Sequence, residues 1–272
     1  VRRTKLTAAS IFVGAIIIFV ALAMPAQAAS VDDWCVTLRL CDPPPPETTT
    51  IDILCDLTAD CTLENLRLTL DQYLRHCASR PGSILRLWMM GRSVSDATLV
   101  ATADSSTAEA KAKKKRASSA QRFVDRELPR LVAAAQLAMA KPKPGASPIA
   151  ETLTVVSWAE ARTTTRIIIV ITDARQVSPI ADFECKALPD EDTWIRALAA
   201  NRSLTPHSLE SVSVHFAFVG VTPVAGRGCR VSLERETEIR ELWRVAIARA
   251  GGTLDITNGP ARLAGSDNGG AK

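Results

Sequence analysis

Apolar and polar positions alternate along the chain in blocks that predict strand, loop and helix in turn. An apolar run begins at Ile51 and stops at Asp56, with Thr58 and Asp60 at alternate positions beyond it. Such a run predicts a buried parallel strand whose carboxy end opens into a polar loop. Leu63, Leu66, Leu70, Tyr73 and Leu74 follow at helical spacing, with Thr62 as N-cap and Glu64 in the first turn. A helix is therefore expected as far as about Cys77, ahead of the breaker Pro81-Gly82. Ile84–Met90 and Ala97–Thr102 read as strands joined by a short polar link, which requires an antiparallel hairpin. From Ser105 to Ala140 the pattern is helical, first polar and then amphipathic through Phe123, Val124, Leu128, Leu131 and Val132, with a kink or break expected at Pro129.

Ser147-Pro148 is a helix start, and Ile149, Leu153 and Val156 give the helix that follows its apolar face. Thr165–Thr172 is β-branched and apolar nearly throughout, as a strand covered on both faces should be, and it too stops at an acid, Asp173. Beyond it come a helix at Asp190–Ala200 and a strand at Val212–Val219. A last helix is marked by Ile239, Leu242, Trp243, Ala246, Ile247 and Ala250, then Gly251-Gly252 and a short edge strand at Thr253–Ile256. This alternation predicts an α/β fold, three-layer and doubly wound, with a mainly parallel sheet and one antiparallel strand. The domain is expected to span 47–258, with the polar, glycine-rich stretch 259–272 as a loose tail.

Composition changes the picture at the amino terminus. Residues 1–28 combine VRRTK, an apolar run from Leu6 to Met24, and small residues around Pro25–Ala28, the three sections of a secretory signal peptide. Cleavage is expected after Ala28, with an uncleaved membrane anchor as the alternative, the only route by which a membrane enters this reading. Either way the remainder is expected outside the cytoplasm, periplasmic or secreted. Residues 29–46 are a Cys/Pro-rich lead-in.

Charge adds little. Taking Arg2, Arg3 and Lys5 from the 33 basic residues leaves 30 against 29 acidic ones, so no nucleic-acid partner is implied. The run Lys113–Arg116 could attract anionic lipid or a polyanion, but no aromatic residue interleaves with it, and a solvated helix face explains it more simply. Seven cysteines in an exported chain predict disulfides with one thiol left over. Cys185 with Cys229 is the expected bridge, since each follows a predicted strand, and Cys55 is expected to be the buried free thiol.

Candidate chemistry gathers at the strand ends. Carboxylates and hydroxyls leaving the carboxy edge of a parallel sheet suit a hard cation. In order, the strand with its DLTAD loop, the GASPIAETL helix start and the IIIVITDAR strand resemble the von Willebrand factor type A family, over about 210 residues. The resemblance implies a metal-ion-dependent adhesion site made by Asp56, Thr58, Asp60, Ser147 and Asp173. It would hold Mg2+, Mn2+ or Ca2+ and present the cation to a carboxylate of a protein partner. Asp60 stands where the family has a hydroxyl, and Ala174 where a glycine usually follows the second strand's acid. A metal-free scaffold of the same fold, binding through its loops, is the alternative.

Enzymatic readings fare less well on the residues. A Mg2+-dependent hydrolase of the haloacid dehalogenase kind needs a second acid two residues after the first, where Thr58 stands. Nucleophilic hydrolysis needs a histidine beside a serine or cysteine, yet His76, His207 and His215 fall at a helix end, in a loop and within a strand, and no GxSxG elbow is present. A non-enzymatic binding protein is the expectation.

Overall fold

The computed structural model describes residues 48–57, 61–91, 93, 96–105, 113–141, 145–159, 165–219 and 232–261; for 113–117 it describes the backbone only. The chain divides into two units, Val1–Pro45 and Pro46–Lys272, and every described element belongs to the second. The expected signal segment and lead-in, the loop residues Thr58 and Asp60, Cys229 and the end of the chain from residue 262 lie outside the described residues.

The elements run β1 (Thr49–Cys55), α1 (Leu63–Ser79), β2 (Ile84–Met89), β3 (Thr98–Asp104), α2 (Lys113–Met139), α3 (Ile149–Trp158), β4 (Thr165–Ile171), α4 (Glu191–Ala200), β5 (Val212–Ala217), α5 (Leu233–Arg249) and β6 (Thr253–Ile256). The strands form a six-stranded sheet in the order β3-β2-β1-β4-β5-β6. Only β2 and β3 pair antiparallel; the other neighbours are parallel. Helices cover both faces, so the expected α/β architecture, mainly parallel with one antiparallel strand, is the observed one.

Alternation within the central strands assigns the two cores. Ile51, Ile53 and Cys55 of β1 pack with Leu66, Leu70 and Leu74 of α1 and with Phe123 and Leu131 of α2. Leu54 points the other way, into a core shared with α3, α4 and α5. There the rings of Phe183, Trp194, Trp243 and Phe216 meet edge to face, Phe183 and Trp194 at 5.0 Å and Phe216 and Trp243 at 5.2 Å, a geometry aromatic rings prefer to direct stacking. Fully burying each such ring stabilises by roughly 1.5–3 kcal/mol.

Local signals explain most element ends. Thr62 caps α1 by accepting from Asn65 N at 3.1 Å, and Asp190 caps α4 by accepting from Thr193 N at 2.7 Å. Pro129 does not break its helix: α2 runs through it. A proline there removes one backbone donor and crowds the preceding turn. Pro129 lies on the exposed side of α2, where water can satisfy the carbonyl it leaves without a donor. The packed chain also continues past residue 258, since Ala261 is fully buried and its carbonyl accepts from Gln72 Nε2 at 2.7 Å.

The cysteines pair differently from expectation. Cys55 is not a free thiol but is bonded to Cys61, with Cα atoms 5.4 Å apart, so the end of β1 and the residues just before α1 lie side by side. Among the described residues the free thiol is Cys77, buried in α1 and pushed up to about 12 chiefly by that burial. Cys185 is itself disulfide-bonded, and its partner lies outside the described residues, as does the expected Cys229.

Candidate functional site at the carboxy edge of the sheet

Asp56 is the first residue beyond β1 and is completely buried. Its backbone is held from both sides: Asp56 N donates to Ile171 O of β4 at 3.1 Å, and Met90 N donates to Cys55 O at 3.0 Å. Its carboxylate therefore emerges between the two central strands, where the sheet edge is most enclosed. Two hydroxyls meet it there. Ser147 Oγ donates to Asp56 Oδ2 at 2.5 Å, and Thr172 Oγ1 donates to the same oxygen at 2.9 Å.

Ser147 reaches this position because its loop is stitched to the loop after β4. Ser147 N donates to Val177 O at 2.8 Å and Val177 N to Ser147 O at 3.0 Å, an isolated antiparallel bridge. Its hydroxyl is thus spent on Asp56 and does not cap α3, whose cap residue is Pro148 without a side-chain bond. Gln176 does that work instead: fully buried, it accepts from Ala150 N at 3.0 Å and donates to Glu151 Oε2 at 2.7 Å.

Asp173 leaves the neighbouring strand end. Its Oδ1 accepts from Arg175 N at 3.0 Å, and its Oδ2 lies 3.5 Å from Arg175 Nε. Ala174, in the place expected of a glycine, adopts φ 65, the left-handed region. For a residue with a Cβ that conformation costs roughly 1–2 kcal/mol. It is retained because Ala174 N donates to Thr172 Oγ1 at 3.1 Å and Ala174 O accepts from Trp243 Nε1 at 2.8 Å.

Of the residues expected to bind metal, Asp56 and Ser147 are therefore in direct contact, Asp173 lies on the adjoining strand end, and Thr58 and Asp60 lie outside the described residues. The Cys55–Cys61 bond closes the five-residue loop that carries those two. The donor set is entirely carboxylate and hydroxyl oxygen, which suits Mg2+ or Ca2+ and not a soft metal. Among the described residues no three His, Cys, Asp or Glu side chains group closely enough to hold a metal. A cation here would be held by Asp56, Ser147 and Asp173 and completed by the DLTAD loop. Thr172, Arg175 and Gln176 were not anticipated; the one available signal was a hydroxyl ending the apolar β4 run.

A second polar cluster sits deeper in the sheet. Asp52, fully buried within β1, accepts from Arg86 Nε at 2.7 Å, from Trp88 Nε1 at 2.8 Å and from Arg166 Nη2 at 3.1 Å. Arg166 also donates to Ser157 O at 2.7 Å, and burial lowers its guanidinium pKa against the opposing pull of Asp52. Every charge in the cluster is paired, which identifies it as a structural tie between β1, β2, β4 and α3.

The histidines lie elsewhere. His76 and His215 line a cleft of about 370 Å³ at the amino end of the sheet, together with Arg80 and Asp255. Burial, then Arg80, pushes His76 down to about 4, and burial lowers His215 against the attraction of Asp255, 3.5 Å away.

No protein-family model matches the chain, and no curated protein matches it. Several solved structures follow a similar path. The PilB minor pilin from Streptococcus sanguinis is 10% identical with a TM-score of 0.46, covering 79% of this chain and 58% of that one. Its D319A mutant is 11% identical with a TM-score of 0.45, covering 80% and 59%. A von Willebrand factor type A structure from Catenulispora acidiphila is 12% identical with a TM-score of 0.34, covering 78% and 39%. The chain thus spans less than two thirds of each of these proteins.

Proposed function

We propose that the protein is an extracytoplasmic protein-interaction module of von Willebrand type A kind, which docks a carboxylate of a partner protein through a divalent cation at the carboxy edge of its sheet. One observation carries this reading. Ser147 arrives from 91 residues away to place its hydroxyl on the buried carboxylate of Asp56, next to the strand end that bears Asp173. Hydroxyls from the start of α3 and the end of β4 thus meet the carboxylate at the end of β1.

The residues have distinct parts. Asp56 and Asp173 supply negative charge, Ser147 and Thr58 neutral oxygens, and Asp60 a further acid in the disulfide-closed loop. Thr172 orients Asp56 from below without needing to touch a cation. The cation, when bound, supplies a Lewis-acidic docking point for an anionic side chain. The Cys55–Cys61 bond supports an oxidising compartment, since disulfides persist outside the cytoplasm. No catalytic role is assigned to any residue: His76 and His215 belong to the amino end of the sheet, and Asp52 is engaged by two arginines.

A metal-free scaffold is the second reading, favoured by one feature. Arg175 lies across Asp173 at 3.5 Å and already offsets its charge.

Thermal unfolding with EDTA, Mg2+, Mn2+ and Ca2+ separates the two. A cation at 100 times its dissociation constant stabilises the folded state by about 2.7 kcal/mol, so the melting temperature should rise with cation in the wild type but not in Asp56→Ala or Asp173→Asn. No shift with any of the three cations, in a protein that melts cooperatively, would leave the scaffold reading in its place.

A further inference from the structure

The end of the sheet away from Asp56 carries a polar cleft of about 370 Å³. Thr49, Thr165, Ser213 and Thr253 stand at the amino ends of β1, β4, β5 and β6. Thr49 is opposite Thr165, and Ser213 is opposite both Ile167 and Thr253. Because residues two apart along a strand share a face, that register puts all four hydroxyl-bearing residues on one side of the sheet. It is the side that Ile51, Ile167 and Ile169 present to the core of α1 and α2. A strand face covered by helices is ordinarily apolar. Here α1 and α2 lie over β1, β2 and β3, and beyond them the starts of β4, β5 and β6 turn polar, with His215 and Asp255 added to the hydroxyls.

Two basic side chains face this floor. His76 and Arg80, four residues apart at the carboxy end of α1, line the same cleft, and both are half-buried. A guanidinium has donors to offer and no acceptor. Yet among the described residues no carboxylate pairs with Arg80, whose Nη1 lies 2.6 Å from His76 Nδ1. A cation that uses an imidazole as its acceptor lacks an anion. Arg80 is fixed beside β1, since Ser83 N donates to Arg80 O at 3.1 Å and Ser83 Oγ accepts from Thr49 N at 3.0 Å. The acid of the cleft, Asp255, is at its other side. It belongs to β6, three strand spacings or roughly 14 Å from β1, and stands 3.5 Å from His215 Nδ1.

We propose that this cleft binds a phosphate group, held by Arg80 and His76 from α1 and by the hydroxyls of Thr49 and Thr165 from the sheet. Arginine pairs with phosphate through two parallel hydrogen bonds. The donors here come from a helix on one side and two strands on the other, an arrangement that suits a tetrahedral group better than the flat pair of oxygens in a carboxylate. Asp255 opposes binding, which places the anion in the half of the cleft next to β1. Free phosphate and a phosphate ester present the same group. The site lies at the opposite end of the sheet from Asp56 and does not depend on a cation there.

Isothermal titration calorimetry of the full chain with inorganic phosphate and with methyl phosphate tests this, at constant ionic strength, with acetate as the planar control. EDTA is present throughout, so phosphate held through a metal at the Asp56 edge does not contribute. A dissociation constant of ~1 mM or tighter is expected for phosphate, with acetate at least ~10-fold weaker. Binding of both phosphates places an ester within reach of the site, and binding of inorganic phosphate alone assigns it to the free ion. The ring resonances of His76 should move on titration. Arg80→Gln should weaken phosphate at least ~10-fold, while Asp255→Asn should tighten it by removing a like charge. Binding weaker than ~10 mM would overturn the proposal, as would acetate binding as well as phosphate or an unmoved His76 ring. Arg80→Gln binding like the wild type would do the same. If Arg80→Gln does not fold, the exposed Asp255 carries the test, and an Asp255→Asn affinity no tighter than the wild type's would overturn the assignment.

Discussion

Ser147 Oγ and Asp56 Oδ2 lie 2.5 Å apart, with Thr172 Oγ1 on the same carboxylate oxygen at 2.9 Å. A buried carboxylate is costly unless hydrogen-bonded, and hydrogen bonds to a charged group are worth about 1.5–3 kcal/mol each. Ser147→Ala should therefore destabilise the protein by roughly that amount, read as a shift in the urea midpoint. Thr172→Val should cost a similar amount. If Ser147→Ala also abolishes cation stabilisation while Thr172→Val weakens it without abolishing it, the hydroxyls separate into a ligand and a positioning group.

Asp52 offers the larger single effect. Removing it leaves Arg86 and Arg166 facing one another inside the sheet, both nearly buried. Breaking a buried pair by deleting one partner typically costs about 3–5 kcal/mol, so Asp52→Ala should approach complete unfolding at ambient temperature. Replacing all three charges with apolar residues of similar volume should recover much of the loss. Equilibrium denaturation of the single and triple variants measures both outcomes, and a triple variant no more stable than Asp52→Ala would show that the charges hold more than one another.

The Cys55–Cys61 bond should stabilise modestly because its loop is short. Chain-entropy estimates for a loop of this size give about 2 kcal/mol. Cys55→Ala with Cys61→Ala should lower stability by about that much and leave Cys185 oxidised, which chemical reduction would not. The expected accompaniment is weaker cation binding, since the loop bearing Thr58 and Asp60 loses its covalent closure. Cys77, buried and with its thiol pushed up to about 12, should react with iodoacetamide only on unfolding.

His76 predicts the shape of the acid limb. Its pKa is lowered in the folded state from 6.5 to about 4, by burial first and Arg80 second. A depressed histidine is neutral in the fold and protonates more readily when unfolded. Its contribution is complete above pH 6.5 and is lost as pH falls through the folded value near 4. His76→Gln should flatten the decline in stability between those two values, as measured by denaturation at stepped pH; an unchanged slope would assign the decline to other groups.

The sheet was legible in the sequence because its central strands are β-branched and bounded by acids and glycines, and because periodicity changed cleanly at Thr62 and Asp190. What escaped has a common cause. Pro129 reads as a breaker from its own chemistry, but its tolerance depends on facing solvent. Ser147 reads as a helix cap until Asp56, far away in sequence, claims its hydroxyl. Cys55 reads as buried, which is true, but a strand pattern says nothing of Cys61 lying at its side. Asp52 sits within an apolar run and discloses its importance only through its register with Arg86 across β1 and β2. Local pattern predicted elements, and pairings between distant segments decided the site.

Arg175 tests whether those pairings still serve a cation. Its guanidinium, 3.5 Å from Asp173 Oδ2, occupies charge that a divalent ion would need. If the edge of the sheet binds metal, Arg175 competes with it, and Arg175→Ala should tighten binding, since removing one positive neighbour at an effective dielectric near 20 is worth on the order of 1 kcal/mol or more. The melting temperature with saturating Mg2+ should then rise further above the EDTA value than in the wild type. If the edge is a metal-free scaffold, the variant loses the Arg175–Asp173 ion pair, and Arg175→Ala should lower the melting temperature equally with and without cation. The first reading thus predicts a cation-dependent difference larger than in the wild type and the second predicts none, which makes this substitution more decisive than deleting any ligand.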